Sequence, residues 1–362
     1  MKRICTMILM LCLIAVPCAA EGENDGDCVY TMYSADGELL TMRGGQMYVG
    51  DEYISGDNRH FRVTHVDGDE CVAYAEYLGM ADPGTAVSGP EEMEALLAQL
   101  GIAYADEGKG TICMYSTHSD ESYVPGDGTS SKLEDAGIYD VGNAFKEELE
   151  KRGYTVVYSD ETFLPHDTGA YSRSASTAEE LLKKSPEALF DIHRDGVPAE
   201  QYETEVEGEE LSMVRLFVGR SNANRDANMA FAKELKAIAD EKYPGLVKDI
   251  YMGKGNYNQE LYPQALLLEF GTHEIDKDLV VKSTSYMAEV VDSAVSGGAA
   301  QAAEADTEKN TGAGKAIIWV IAIAIIAALI YALAATGRIS GMWDKFKRSV
   351  SEITGGSAGK RK

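Results

Sequence analysis

The sequence predicts an α/β protein: a mostly parallel sheet flanked by helices, preceded by a small β-rich module and followed by one membrane-spanning helix. Three observations carry this. From Thr111 to Val295 short apolar runs alternate with amphipathic stretches, the pattern of strands and helices in turn. Between Cys28 and Gly79 turn signals crowd together. Near the C-terminus, residues 316–336 carry no charge and are rich in Ile, Ala, Leu and Val.

The ends set the topology. Lys2 and Arg3 precede an apolar run from Met7 to Ala20, followed by the acidic Glu21-Gly22-Glu23. A basic flank, a short apolar core and small residues at its end describe a secretory signal peptide over residues 1–20. An uncleaved N-terminal anchor is the other reading. Residues 316–336 cover about 30 Å as a helix, enough to cross a bilayer. Arg338, Lys345, Lys347, Arg348, Lys360, Arg361 and Lys362 follow, against Asp344 and Glu352. Positive charge marks the cytoplasmic side. The sequence therefore predicts a single-pass membrane protein with residues 337–362 as a cytoplasmic tail and the bulk of the chain outside.

The net charge of −26 conceals an asymmetry. With +2 in residues 1–20 and +5 from Arg338 onward, the remainder carries −33. Nucleic acid selects basic surfaces and is excluded as a partner. Of the six cysteines, Cys5, Cys12 and Cys18 lie in the signal segment. Cys28 and Cys71 either pair, as an oxidising compartment allows, or stay as buried thiols. No CxxC occurs, so no cysteine metal site is implied.

The elements follow in order. Asp36-Gly37, Gly44-Gly45, Gly50-Asp51, Gly56-Asp57 and Asp67-Gly68 separate short runs and predict antiparallel hairpins over residues 21–80. His60 and His65 lie among polar residues there and read as surface side chains. Residues 81–107 are a Pro/Gly/Ser-rich linker and a helix, Glu91–Leu100, with Met93, Leu96, Leu97 and Leu100 on one face. Within the domain 108–296, strands are predicted at Thr111–Tyr115, Tyr154–Tyr158, Ala188–His193, Val214–Val218 and Ala265–Phe270. Helices are predicted at Tyr139–Arg152, Thr177–Lys184, Asn224–Glu241 and Leu279–Val295. Residues 297–315, rich in Ala, Gly and polar side chains, form a juxtamembrane linker.

Three polar residues fall at or near the carboxyl ends of predicted strands, where open α/β sheets bind ligands. They are His118, His193 and Glu269. A carboxylate inside the apolar run Leu266-Leu267-Leu268-Glu269-Phe270-Gly271 is costly to bury without a cation, a donor or a metal. Two histidines and a carboxylate at strand ends suit zinc. His193-Arg194-Asp195 matches a protein-kinase loop, but no Gly-rich loop, paired Lys or Asp-Phe-Gly accompanies it, so that chemistry is rejected.

Six blocks together resemble the stage II sporulation protein P family of peptidoglycan hydrolases, related in fold to zinc-dependent N-acetylmuramoyl-L-alanine amidases. They are Tyr115-Ser116-Thr117-His118-Ser119-Asp120-Glu121-Ser122-Tyr123, Asp140-Val141-Gly142, Asp191-Ile192-His193-Arg194-Asp195, Tyr243-Pro244-Gly245-Leu246, Tyr257-Asn258-Gln259 and the Glu269 strand. The resemblance implies zinc bound by His118 and His193, a catalytic glutamate at Glu269, and an acidic third ligand. Asp140 is taken for that ligand, with Glu134 and Asp135 as neighbours able to replace it. His166 and Arg173, in a loop after the second strand, and Tyr257 and Gln259 are candidates to line the substrate groove. Peptidoglycan is the implied substrate, and a lytic transglycosylase of the stage II sporulation protein D kind the implied partner. Another extracytoplasmic zinc peptidase, or a wall-binding protein without activity, are the rival readings. The β-rich module and the C-terminal anchor lie outside the resemblance.

Overall fold

A computed structural model of the chain describes residues 28–82 and 109–296. Thirteen strands are named in it: β1 Tyr30–Ser34, β2 Leu39–Arg43, β3 Glu52–Ile54, β4 Arg59–Asp67, β5 Val72–Met80, β6 Thr111–Tyr115, β7 Thr155–Tyr158, β8 Ala188–Asp195, β9 Glu203–Val206, β10 Glu209–Ser212, β11 Val214–Gly219, β12 Val247–Gly253 and β13 Ala265–Thr272. The helices are α1 Val124–Asp127, α2 Gly137–Lys151, α3 Ala170–Leu182, α4 Arg225–Lys242 and α5, residues 277–296. The signal segment, the Glu91–Leu100 helix, the juxtamembrane linker, the 316–336 span and the basic tail all lie outside the described residues. Among the described residues no helix is long and apolar enough to cross a membrane.

Eleven strands form one sheet in the order β2-β1-β5-β4-β3-β12-β11-β13-β8-β6-β7. Its second half is mostly parallel, with only β11 and β13 antiparallel. This half carries the predicted α/β pattern. The N-terminal strands differ from expectation. They are not a separate antiparallel module: β3 pairs antiparallel with β12, and β1 pairs parallel with β5. Strand β12 was not legible because Lys248-Asp249 interrupts its apolar run. Asp249 is nonetheless buried, paired to Arg215 on β11. Cys28 and Cys71 are joined as a disulfide across β1 and β5, and Cys113 is a buried free thiol.

Each face of the sheet has its own cover. On one, Phe145 and Leu149 of α2, Phe231 and Leu235 of α4, and Met287 and Val291 of α5 pack on Phe190, Leu216, Leu268 and Phe270. On the other, Ala178 and Leu181 of α3 cover Cys113, Tyr115 and Leu189. The N-terminal strands cover the rest of that face, packing Met32, Met47, Tyr53 and Phe61 with Phe217, Tyr251 and Leu267. Thus β1–β5 both extend the sheet and supply a layer where a helix would otherwise lie. Gly44 marks how tightly that layer docks: a Cβ there would lie 2.6 Å from the Gly196 backbone.

Candidate metal centre and active site

Strand periodicity puts alternate residues on one face, and β8 uses this to split its functions. Phe190 and Ile192 enter the helix-covered core. Asp191, His193 and Asp195 face the other way. Across the sheet, Glu269 is in register with His193 on β8 and with Arg215 on β11, and Arg215 with Asp249 on β12. One row across four strands therefore reads Asp249, Arg215, Glu269, His193.

His118 reaches this row from the loop after β6. The side chain of Asp191 clamps that loop, accepting from Thr117 N at 2.8 Å and Thr117 Oγ1 at 2.6 Å. The chain then turns, with Glu121 N donating to His118 O, and brings the Glu121 carboxylate back. Glu121 Oε1 lies 3.3 Å from His118 Nδ1 and 3.7 Å from His193 Nδ1, while Oε2 accepts from Arg194 N at 2.9 Å. His118, Glu121 and His193 are at most 3% exposed, and their ligand atoms lie within 4.8 Å of one another. They could hold a metal ion.

Both histidines keep lone pairs for such an ion. His118 Nε2, His193 Nδ1 and His193 Nε2 have no hydrogen-bond partner, nor does Glu269 Oε2. His193 Nε2 is 3.0 Å from Asp191 Oδ1, though not aligned for a hydrogen bond. Such orphaned buried groups are rare in folded proteins. Burial pushes His118 down to about 4, leaving it a neutral donor at physiological pH. Burial also opposes charge on His193, but the Asp191 and Glu121 carboxylates outweigh it and hold the imidazole well above its ordinary range. Carboxylates that favour a proton there favour a metal cation in its place. Glu121 is held well below the usual carboxylate range, against burial, by His193 and Arg194. Glu269 is pushed up to about 8, first by burial and then by Asp195.

The carboxylate that the structure places beside the two histidines is Glu121, whereas Asp140, the expected third ligand, lies apart from them. Asp140 sits in the first turn of α2 with its side chain 63% exposed, 2.6 Å from Lys277 Nζ. The signal for Glu121 was its position three residues after His118, which a tight turn converts into a contact. Of the groove candidates, His166 reaches the centre. Its ring lies 3.7 Å from the His118 ring, and its Nδ1 is 3.0 Å from Asp120 Oδ1. Burial pushes Asp120 up, but hydrogen bonds from His166 and Ser131 hold it below its ordinary value. Arg173 instead braces the preceding loop, donating to Phe163 O, Pro165 O and Asp167. Gln259 uses both ends of its amide on strand β11, accepting from Gly219 N and donating to Phe217 O. Tyr257 is buried, edge-on to Tyr171 and Phe217. Tyr171, which the sequence places in the same loop as His166 and Arg173 without a role, lies instead in the first turn of α3. Burial first, and then Asp191, keeps its phenol well above the ordinary tyrosine value, so it stays a donor.

A buried pair of histidines and a carboxylate on an α/β sheet, with a further carboxyl beside them, defines the class: an α/β protein with a candidate metal centre. The model of the stage II sporulation protein P family matches residues 77–292, and the chain belongs to that family. Stage II sporulation protein P of Bacillus subtilis (strain 168) is 31% identical over 182 residues, which is 45% of this chain and 45% of the relative. The chain thus spans under half the length of the curated relative it matches. Among solved structures, similarity extends to N-acetylmuramoyl-L-alanine amidase AmiC2 of Nostoc punctiforme, at 16% identity and TM-score 0.34 over 52% of this chain and 96% of that one. It extends also to the N-acetylmuramyl-L-alanine amidase Ami1 from Mycobacterium smegmatis, at 15% identity and TM-score 0.34, with 52% and 96% covered.

Proposed function

We propose that the chain is a membrane-anchored, extracytoplasmic peptidoglycan hydrolase that acts in sporulation and cleaves the amide between N-acetylmuramic acid and L-alanine. One observation carries this: in a member of the stage II sporulation protein P family, a buried His118–Glu121–His193 triangle with partnerless imidazole nitrogens sits in register with a buried, partnerless Glu269. Two imidazoles and one carboxylate are the protein donors of many catalytic zinc sites, which keep a further position open. His118, Glu121 and His193 would hold zinc, which when bound supplies a Lewis acid and lowers the pKa of water.

The chain's own residues divide the remaining work. Glu269 accepts a proton from the attacking water and delivers it to the leaving amine nitrogen. Burial and the Asp195 carboxylate raise its proton affinity above that of an ordinary carboxyl, which suits a group that must take up a proton and pass it on. Asp191 fixes the His118 loop through Thr117 and lies 3.0 Å from His193 Nε2, so it orients both imidazoles. His166, steadied by Asp120, borders the site where the substrate would lie. Cleavage of stem-peptide crosslinks by the same groups, and work beside a lytic transglycosylase, belong to this proposal. So do the anchor at residues 316–336 and the cytoplasmic tail.

The test is the full chain in detergent on purified sacculi, with the new amino termini identified. Wild type should free L-alanine amino termini. Glu269→Gln should lower the rate roughly 10²–10⁴-fold with zinc content unchanged. New termini elsewhere in the stem peptide would move the activity to the crosslink. A wild-type chain that frees none would end the hydrolase reading.

A further inference from the structure

Tyr171 has no part in the proposed reaction so far, yet its hydroxyl is buried without a hydrogen-bond partner in a residue 2% exposed. Several buried side-chain atoms among the described residues share that state. Five of them belong to this one place: His118 Nε2, both ring nitrogens of His193, Glu269 Oε2 and the Tyr171 hydroxyl. His118 Nε2, one ring nitrogen of His193 and Glu269 Oε2 have uses in hydrolysis as metal donors or as a base, and the other His193 nitrogen, Nε2, lies 3.0 Å from Asp191 Oδ1. The phenol brings a neutral O–H donor to the group.

Its position is fixed. The Tyr171 ring lies 5.5 Å from the His118 ring, edge-on, and 6.2 Å from the His193 ring, tilted 7° from parallel. Asn258 Nδ2 donates to Tyr171 O at 3.1 Å and to Ser174 Oγ at 2.9 Å. Ser174 Oγ in turn meets Thr117 Oγ1 at 2.8 Å, and that hydroxyl donates to Asp191. The network that sets the His118 loop therefore also holds the main chain at Tyr171, and the Tyr257 ring closes on its ring edge-on at 5.1 Å. Leaving a buried donor unpaired is unfavourable, and a donor fixed beside a metal centre suits an acceptor that arrives with the substrate.

We infer that Tyr171 is a further catalytic residue, whose hydroxyl donates a hydrogen bond to the carbonyl oxygen of the scissile amide and stabilises the negative charge that gathers there as water adds. No proton is transferred; the bond strengthens as the oxygen becomes anionic, the condition for lowering a barrier rather than tightening ground-state binding. The inference rests on the hydrolase reading.

The experiment compares wild type and Tyr171→Phe as full chains in detergent, measuring kcat and KM on sacculi, zinc content, thermal melting and inhibition by a phosphinate mimic of the tetrahedral species. Phe keeps the ring and removes only the hydroxyl. The expected result is a kcat lower by roughly 10²-fold, phosphinate inhibition weakened in step, KM and zinc within about twofold, and melting unchanged or higher. A variant as fast as wild type overturns the role. So does one that melts early and regains wild-type kcat when assayed at lower temperature, since the hydroxyl is then structural. A wild type that releases nothing removes the hydrolase reading and this role with it, whereas an active wild type matched by Tyr171→Phe removes the role alone.

Discussion

Two buried polar clusters share one face of the sheet, and they are built in opposite ways. Around Arg215 every polar group is matched. Its guanidinium donates to Asp249 at 2.7 and 3.0 Å, to Asp195 at 2.7 Å, to Thr41 Oγ1 at 2.7 Å and to Met42 O at 3.0 Å. Asp195 also accepts from Gly44 N, Gly196 N and Tyr202. One strand away, His118, His193 and Glu269 are equally buried and keep atoms without partners. The difference separates structure from chemistry. A cluster that closes on itself neutralises buried charge and holds layers together. A cluster left open holds its lone pairs for something that binds. The closed cluster also recruits Thr41, Met42 and Gly44 from outside the family-matched segment 77–292. The open one lies wholly within that segment.

Breaking the open cluster should have the largest functional effect. His118→Ala or His193→Ala is expected to take bound zinc from about one ion per chain to none and to abolish sacculus hydrolysis. Elemental analysis decides, and stoichiometric zinc in either variant would sink the ligand assignment. Breaking the closed cluster should act on stability instead. Arg215→Met leaves Asp195 buried without its cation and Asp249 with only Lys248, 3.5 Å away, a loss of about 3–5 kcal/mol. In chelated protein its denaturant midpoint should fall further than that of His118→Ala; the reverse order would mean that the histidines, not Arg215, hold the fold.

A smaller effect tests the N-terminal layer. Replacing Cys28 and Cys71 by Ser opens a crosslink spanning 43 residues and should cost about 2–4 kcal/mol, with zinc content unchanged. Equal melting of both forms would show that docking alone secures β1–β5. The smallest effect belongs to Asp140. Its exposed contact with Lys277 is worth about 0–1 kcal/mol, so Asp140→Asn should change neither melting nor zinc content measurably. Zinc loss in that variant would return Asp140 to the ligand set.

Much of the α/β half was legible because its strands are uniformly apolar and its helices amphipathic, signals that survive without tertiary context. The strands at Thr111, Ala188, Val214 and Ala265 start where the sequence places them. The start of α3 was not legible. Tyr171-Ser172-Arg173-Ser174 has weak helix propensity, and part of what holds it is Asn258, more than 80 residues away. The N-terminal hairpins were legible as strands but not as part of the larger sheet, because edge-to-edge pairing leaves no trace in local periodicity.

The sequence by itself singled out candidates for the chemistry one at a time: His118 and His193 at strand ends, and Glu269 as a carboxylate inside an apolar strand. Each stands out against its neighbours. For the acidic partner it offered Asp140, with Glu134 and Asp135 nearby, and gave no reason to prefer Glu121, because acidic residues are common in that stretch. Only the turn after His118 selects Glu121, while Lys277 engages Asp140. Nor could it separate Arg215 from a surface arginine, or Tyr171 from a packing aromatic. Those roles depend on which polar atoms are partnered once the layers close, and hydrogen-bond satisfaction is a property of the assembled interior, not of any segment of the chain.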